Sequence, residues 1–483
     1  MSEPLRLHPL AIIFNFLKVI REGIIPIVIG LFSFRNEALI YVLLIGSGIA
    51  LLLVIYSILS WYRYTYRVED EELRIEYGIL IRKKRYISKN RIQSIDLTQS
   101  VLHRIFKLVK VQVETAGSGT SAEASLSAVK LSDGEKLRSK LKGAKPSQLA
   151  NDEEVEEVTT DSTELVQPTH KITFKRLFIA GSTSGSIGIL LAIFVVFFSE
   201  LEQFIPESFY DQTINWMIGL SILFLIGLIV SLLLVLWLLG IAGTMIKYGN
   251  FTITRNNDEL FITRGLLEKK QITIPLKRIQ AVGIGESIIR QPLGYVTVFA
   301  EVAGGTIDKG EDYSTVLFPI MKTNEVHDFL KDLLPDYVPV SKDLHRLPKR
   351  SLIFYLFRSS FLMLIALGVV SYFFLEYSWI PLLLLLVSIG LGWLRHHDSG
   401  YRINGDQLTI RYRAVNRITM MLFHKRIQAF EKTQHKIQKT QSLATLQFSI
   451  IGKLGVGKHY KIKDLEEETV NDLSEWYSLR EKS

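Results

Sequence analysis

Arg91-Ile-Gln-Ser-Ile-Asp-Leu97 opens with a tripeptide that returns at Arg278-Ile279-Gln280 and again at Arg426-Ile427-Gln428. The three sites share a common register. A leucine lies at the same distance before each arginine, at Leu73, Leu260 and Leu408, and an isoleucine follows each at Ile75, Ile262 and Ile410. A glycine closes each block, at Gly117, Gly304 and Gly452. Residues 64–117, 251–304 and 399–452 therefore align without a gap. A chance tripeptide does not carry such a frame, so the chain contains a threefold internal repeat.

Each block reads as β structure. Leu73-Arg-Ile-Glu-Tyr77 alternates apolar and polar residues, as a half-buried strand does. Gly78 and Gly265 stand where the chain must turn, and Arg413 occupies that position in the third copy, which predicts a different turn there. Strands are expected over 85–88, 91–97 and 109–115, and in copy two over 271–274, 278–284 and 296–302. A short helix or turn is expected over 101–107. Each block then leads to an amphipathic helix: near 133–141, over 325–334 before Pro335, and over 466–481. A sheet with one apolar face needs such a cover.

Apolar stretches precede each block in pairs: 13–34 with 38–60, 177–198 with 214–242, and 356–375 with 378–394. About 20 apolar residues cross the hydrocarbon core of a bilayer. The first stretch carries Lys18, Arg21 and Glu22, so its start reads as an interfacial amphipathic helix with snorkelling cations. The run Gly181 to Ser186 offers small residues for close helix packing. The hairpin tips hold Arg35 as their basic residue, against Glu37, Glu200, Glu202, Glu207, Asp211 and Glu376. By the positive-inside rule both termini and all large polar segments are cytoplasmic.

Composition fits this mixture. The 483 residues are 48% hydrophobic and 22% charged, with a net charge of +9 and a mean hydropathy of +0.22. The absence of cysteine excludes disulfides, thiolate zinc sites, iron–sulfur clusters and a cysteine nucleophile. The positive charge favours an anionic membrane face as partner. Nucleic acid is the poorer fit and is not expected as a partner, because that charge is tethered at the bilayer.

A helical hairpin, a strand-rich block with Arg-Ile-Gln before a strand, and a closing helix together resemble the bacterial pleckstrin-homology-like domain of type 2. Arg6-Leu7-His8-Pro9 before the first hairpin adds to the likeness. Arg413 at the glycine turn and Ser449, where copies one and two have Glu114 and Glu301, depart from the pattern. The resemblance implies a membrane α + β fold. In that fold three transmembrane helical hairpins would each be followed by a pleckstrin-like small β-barrel or sheet with a C-terminal helix. It also implies no catalytic activity, a role at the cell membrane, and a part in resisting membrane-active peptides. The expected organisation is an interfacial segment and hairpin over 1–62, a domain over 63–145, an acidic linker over 146–170, a hairpin over 171–246, a domain over 247–338, a linker and hairpin over 339–397, and a domain over 398–483.

Candidate contacts lie in the basic runs beside the turns: Arg82, Lys83, Lys84 and Arg85 in copy one, Lys269 and Lys270 in copy two, and Arg411 and Arg417, with Arg413, in copy three. Each cation held near an anionic leaflet contributes ~1 kcal/mol, though a solvated strand face has the same pattern. The arginines of the repeated triplet could meet a headgroup or a partner's carboxylate. A structural role is favoured, because the triplet recurs in domains that need not share a ligand. Residues 151–164 are acidic and read as a spacer. His396 and His397 read as interfacial, and Gly283-Ile284-Gly285 lacks a dinucleotide-loop context. No catalytic, cofactor-binding or metal-ligating residue is assigned. The expected protein is a non-enzymatic integral membrane scaffold whose cytoplasmic domains bind anionic lipid or a membrane-protein partner. The alternative is a component or regulator of a transport or extrusion complex.

Overall fold

The computed structural model describes residues 4–18, 20, 39–69, 72–115, 123–142, 168–202, 222–304, 314–337, 344–452 and 457–478. It divides into two compact units. The first holds residues 1–167 and 261–275, the second 168–260 and 276–483. The acidic spacer over 151–164 and the tips of the first two hairpins lie outside the described residues.

Repeat one builds β1 (Leu5–Arg6), β2 (Thr65–Val68), β3 (Glu72–Tyr77) and β4 (Lys83–Ser88), paired antiparallel in that order. A second ladder follows: β5 (Ile92–Gln99), β6 (Leu108–Thr115) and β7 (Ala124–Lys130). Leu73, Ile75 and Ile87 from the first ladder meet Ile95, Val111 and Val113 from the second, and Leu137 and Leu141 of helix Leu131–Lys142 close the core. Burying each such side chain stabilises by ~1.5–3 kcal/mol. The alternation at Leu73, Arg74 and Ile75 is the cause: one face of β3 enters this core and the other does not.

Repeat two supplies β8 (Thr169–Lys171), β9 (Thr252–Asn256), β10 (Glu259–Arg264), β11 (Lys269–Pro275), β12 (Ile279–Glu286), β13 (Tyr295–Val302) and β14 (Thr315–Lys322). Repeat three supplies β15 (His345–Arg346), β16 (Gly400–Asn404), β17 (Gln407–Arg413), β18 (Arg417–Phe423), β19 (Ala429–Thr433), β20 (Leu443–Ile451) and β21 (Gly457–Glu466). Their pairing crosses the repeat boundaries. In the first unit β11 lies antiparallel against β5, with Lys269 opposite Gln99 and Gln271 opposite Leu97. In the second unit the order β14-β13-β12-β18-β17-β16-β15 joins repeats two and three through β12 and β18. The front hairpin of one repeat thus extends the rear ladder of the repeat before it.

Gly283 lies in the middle of the β12–β18 junction, not in a ligand loop. A Cβ there would collide with the Phe299 ring and the Met420 sulfur, which cross over it. In repeat three the rear ladder β19-β20-β21 packs on β17 and β18, and Val470 and Leu473 of helix Glu467–Ser478 complete that core.

Four described segments are long and apolar enough to cross a membrane: Gly46–Arg63, Ile222–Tyr248, Lys349–Phe373 and Leu375–Asp398. The third hairpin is complete. Helices Leu352–Phe373 and Trp379–Asp398 are joined by a short 3-10 turn, Leu375–Tyr377, and Gly392 lies against the Tyr355 carbonyl and Leu356. Residues 11–18 are helical, and Ala11 and Phe14 of that helix pack on the first domain.

The third apolar stretch is not one helix. It breaks between Phe174–Ser182 and Ser186–Glu202. Thr183 Oγ1 donates to the Ile179 carbonyl at 2.7 Å and Ser184 Oγ to the Gly181 carbonyl at 2.8 Å, a local competition that loosens a helix end. The Arg290 guanidinium then bonds Thr183 Oγ1 at 2.8 Å and the Ala180 carbonyl at 2.9 Å, placing a cation at the carbonyl end of the helix. Gly181 makes the close approach expected of a small residue, with Ile241 Cα 2.9 Å from where its Cβ would be. Gly185 faces open space.

Candidate functional site

In repeat one the turn between β3 and β4 returns to the end of the membrane helix. Helix Leu39–Arg63 runs into β2 at Thr65, and the antiparallel register sets Thr65 opposite Glu76 near the end of β3. The Tyr64 and Tyr77 rings stack there, 6.1 Å between centroids. Gly78 adopts φ +107°, which an L side chain rarely does, and a Cβ would also collide with the Ile81 carbonyl. The tip is apolar and open: Leu80 is 98% exposed and Ile81 75%. Cations follow at once. Arg82 pairs with Glu76 at 2.6 Å, and Lys84 lies 3.9 Å from the same carboxylate. Lys83 is exposed, and Arg85 lies 3.6 Å from the Glu123 carboxylate.

The corresponding cations of the other repeats sit deeper. Lys269 and Lys270 are half-buried on β11, opposite Gln99 and Thr98, and Lys270 lies 3.9 Å from Glu268. Arg411 Nε donates to Thr419 Oγ1 at 3.0 Å, and burial holds its guanidinium below its ordinary pKa. Arg417 bonds both oxygens of Glu286 and reaches Asp398 at 3.5 Å. Arg413, the residue in place of the turn glycine, is buried. Its Nε lies 2.5 Å from Asp398 Oδ2, and its terminal amine donates to Gln291. Asp398 ends the last membrane helix, so this network fastens the β17–β18 turn to the helix end. Glu286 lies in the preceding repeat and Asp398 in the preceding helix, so the basic pattern of the turn alone did not reveal them.

The repeated triplet forms a corner in all three copies. A 3-10 turn ends on its arginine, at Lys89–Arg91, Leu276–Arg278 and His424–Arg426, and the strand or core begins at the isoleucine. Ile279 and Ile427 are fully buried, and Ile92 packs on the first core. Arg278 is buried and donates to the Ala303 carbonyl at 2.9 Å, while the Gln280 amide donates to the Arg278 carbonyl at 3.1 Å. The Gln428 backbone N–H donates to the Ser449 carbonyl at 2.8 Å. Arg91 is exposed, Arg426 half-buried and Gln93 half-buried.

The departure at Ser449 has a local partner. Glu114 accepts from Ser94 at 2.7 Å, and Glu301 takes Ser314 at 2.7 Å and Lys458 at 2.5 Å. Ser449 instead meets His459 Nδ1 at 2.7 Å. His396 meets the Pro348 carbonyl at 3.2 Å, and His397 stacks on Trp393, so the adjacent histidines diverge. Among the described residues no group of three or more His, Asp or Glu side chains is placed to hold a metal.

The bacterial PH domain family model matches three segments, residues 16–145, 212–336 and 353–481. The chain belongs to the bacterial PH domain family. It is also similar to the UPF0699 transmembrane protein YdbT of Bacillus subtilis (strain 168), with 36% identity over 494 residues that cover 99% of each chain. The protein is thus a multi-pass membrane protein carrying three bacterial PH domains, whose candidate cations are exposed at the first tip, half-buried on β11 in the second repeat and tied to Glu286 and Asp398 in the third.

Proposed function

We propose that this protein is a non-enzymatic membrane scaffold whose first PH domain grips anionic lipid through the β3–β4 tip. The carrying observation is the pairing of two bare apolar residues, Leu80 and Ile81, with Arg82 to Arg85 at the membrane end of the domain. Apolar side chains gain by entering the headgroup boundary, and cations beside them gain from the anionic surface. In this reading both termini and all three domains are cytoplasmic. The repeat motif residues are structural, and the domains collect membrane-protein partners at the inner leaflet. Envelope protection against membrane-active peptides is the physiological output.

The test compares lipids bound by the full chain with those bound by R82Q/K83Q/K84Q/R85Q, each extracted in native-lipid particles and measured by mass spectrometry. The reading expects anionic phospholipid enriched over the bulk membrane, with a several-fold loss in the variant. Equal lipid composition overturns it.

A further inference from the structure

Among the described residues, two strands at the ends of the repeat array lack the neighbour that their counterparts have. The gapless alignment maps Gln99, Thr98 and Leu97 of β5 onto Glu286, Gly285 and Ile284 of β12. It maps Lys269, Lys270 and Gln271 of β11 onto Arg417, Ile418 and Thr419 of β18. The observed partners agree residue for residue: Lys269 faces Gln99 and Arg417 faces Glu286, Lys270 faces Thr98 and Ile418 faces Gly285, Gln271 faces Leu97 and Thr419 faces Ile284. One junction geometry is therefore used twice, in the same register.

The same alignment equates β4 with β11 and β18, and β19 with β5 and β12. Among the described residues β4 and β19 are each the last strand of their ladder. Their burial shows the difference. Five of the six β4 residues and four of the five β19 residues are exposed, whereas β12 and β18 have no exposed residue. An open edge presents unpaired N–H and C=O groups and is a template for another strand.

We infer that β19 of one copy pairs antiparallel with β4 of a second copy of this chain, in the register of the two internal junctions. That register sets Gln434 opposite Arg82, Thr433 opposite Lys83, Lys432 opposite Lys84 and Glu431 opposite Arg85. Gln434 against Arg82 repeats the Gln99–Lys269 pairing, and Glu431 against Arg85 adds opposite charges across the strands. Lys432 is already bonded to Glu467 at 3.0 Å and to Asn471 at 2.8 Å, which offsets its facing Lys84. Self-pairing of β4 is disfavoured, because its basic run would oppose itself. A head-to-tail contact of unlike edges extends into rings or filaments. The inference involves the same β4 cations as the lipid reading but rests on backbone register, and its readout, a register-specific disulfide, is separate from lipid composition.

The chain has no cysteine, so disulfide mapping is direct. T433C with one tag and K83C with a second tag are co-expressed and oxidised in the membrane. The expected result is a disulfide-linked product carrying both tags, several-fold more abundant than from T433C with S88C. Absence of that product overturns the inference when the internal pair I284C/T419C closes under the same oxidation. So does closure only within one chain in the T433C/K83C double variant, linkage of K83C to a different protein only, or equal yield from the S88C control.

Discussion

The Arg413 guanidinium lies 2.5 Å from the Asp398 carboxylate, both side chains buried, and so ties the turn of the third repeat to the last residue of the last membrane helix. A buried ion pair is held by its geometry, and its partners are costly to leave alone. Replacing Arg413 with Met leaves Asp398 facing Arg417 at 3.5 Å as its remaining guanidinium contact. The expected loss is about 3–5 kcal/mol, read as a lower thermal midpoint of the purified chain. Arg350→Met, whose exposed guanidinium pairs with Glu466 at 3.3 Å instead, serves as the control.

Gly283 and Gly185 make a matched pair for side-chain insertion. Valine at Gly283 must displace Phe299 and Met420 at the β12–β18 junction, where overpacking costs about 1–3 kcal/mol. At Gly185 a Cβ meets nothing within 4 Å. Gly283→Val is expected to speed hydrogen exchange of residues 281–286 and 417–422, while Gly185→Ala leaves those amides unchanged.

His103 gives the first domain a pH dependence. Burial lowers its pKa below the ordinary histidine value, a lowering only partly opposed by its bond to the Ser127 carbonyl at 2.8 Å. Phe14 stacks on the ring, 4.0 Å between centroids. The unfolded chain therefore takes up the proton more readily than the folded one. Stability is full above the unfolded value and falls as pH drops through it toward the lowered folded value. A melting series from pH 8 to pH 5, each pH on the order of the ordinary histidine range, is expected to show an acid-side decline that His103→Gln reduces.

The ordered core was legible in the sequence because it obeys local rules. Leu73 and Ile75, repeated at Leu260 and Ile262 and at Leu408 and Ile410, are all buried in the positions that strand alternation assigns. Gly78 and Gly265 take the positive φ that the turn requires. Strand exchange between repeats was not legible, because backbone edges carry no side-chain signature. The break after Ser182 is held in part by Arg290, more than a hundred residues away. Arg413 looked like a departure from a turn, and its role appears only with Asp398 and Gln291 in place. For the same reason Arg417 and Arg82 occupy equivalent sequence positions but different surroundings: Glu286 meets one, and the other stands at an open tip.

The most direct measurement of the chained-repeat architecture is disulfide closure across the β12–β18 junction. Directly opposed strand residues lie about 4.5–5.5 Å apart at Cα, within disulfide reach. In the cysteine-free chain, I284C/T419C is expected to close within one molecule under mild oxidation, read by intact mass and by a tryptic cross-linked peptide, while the register-shifted pair I284C/L422C stays open. Failure of I284C/T419C to close, or equal closure of the shifted pair, would contradict the architecture.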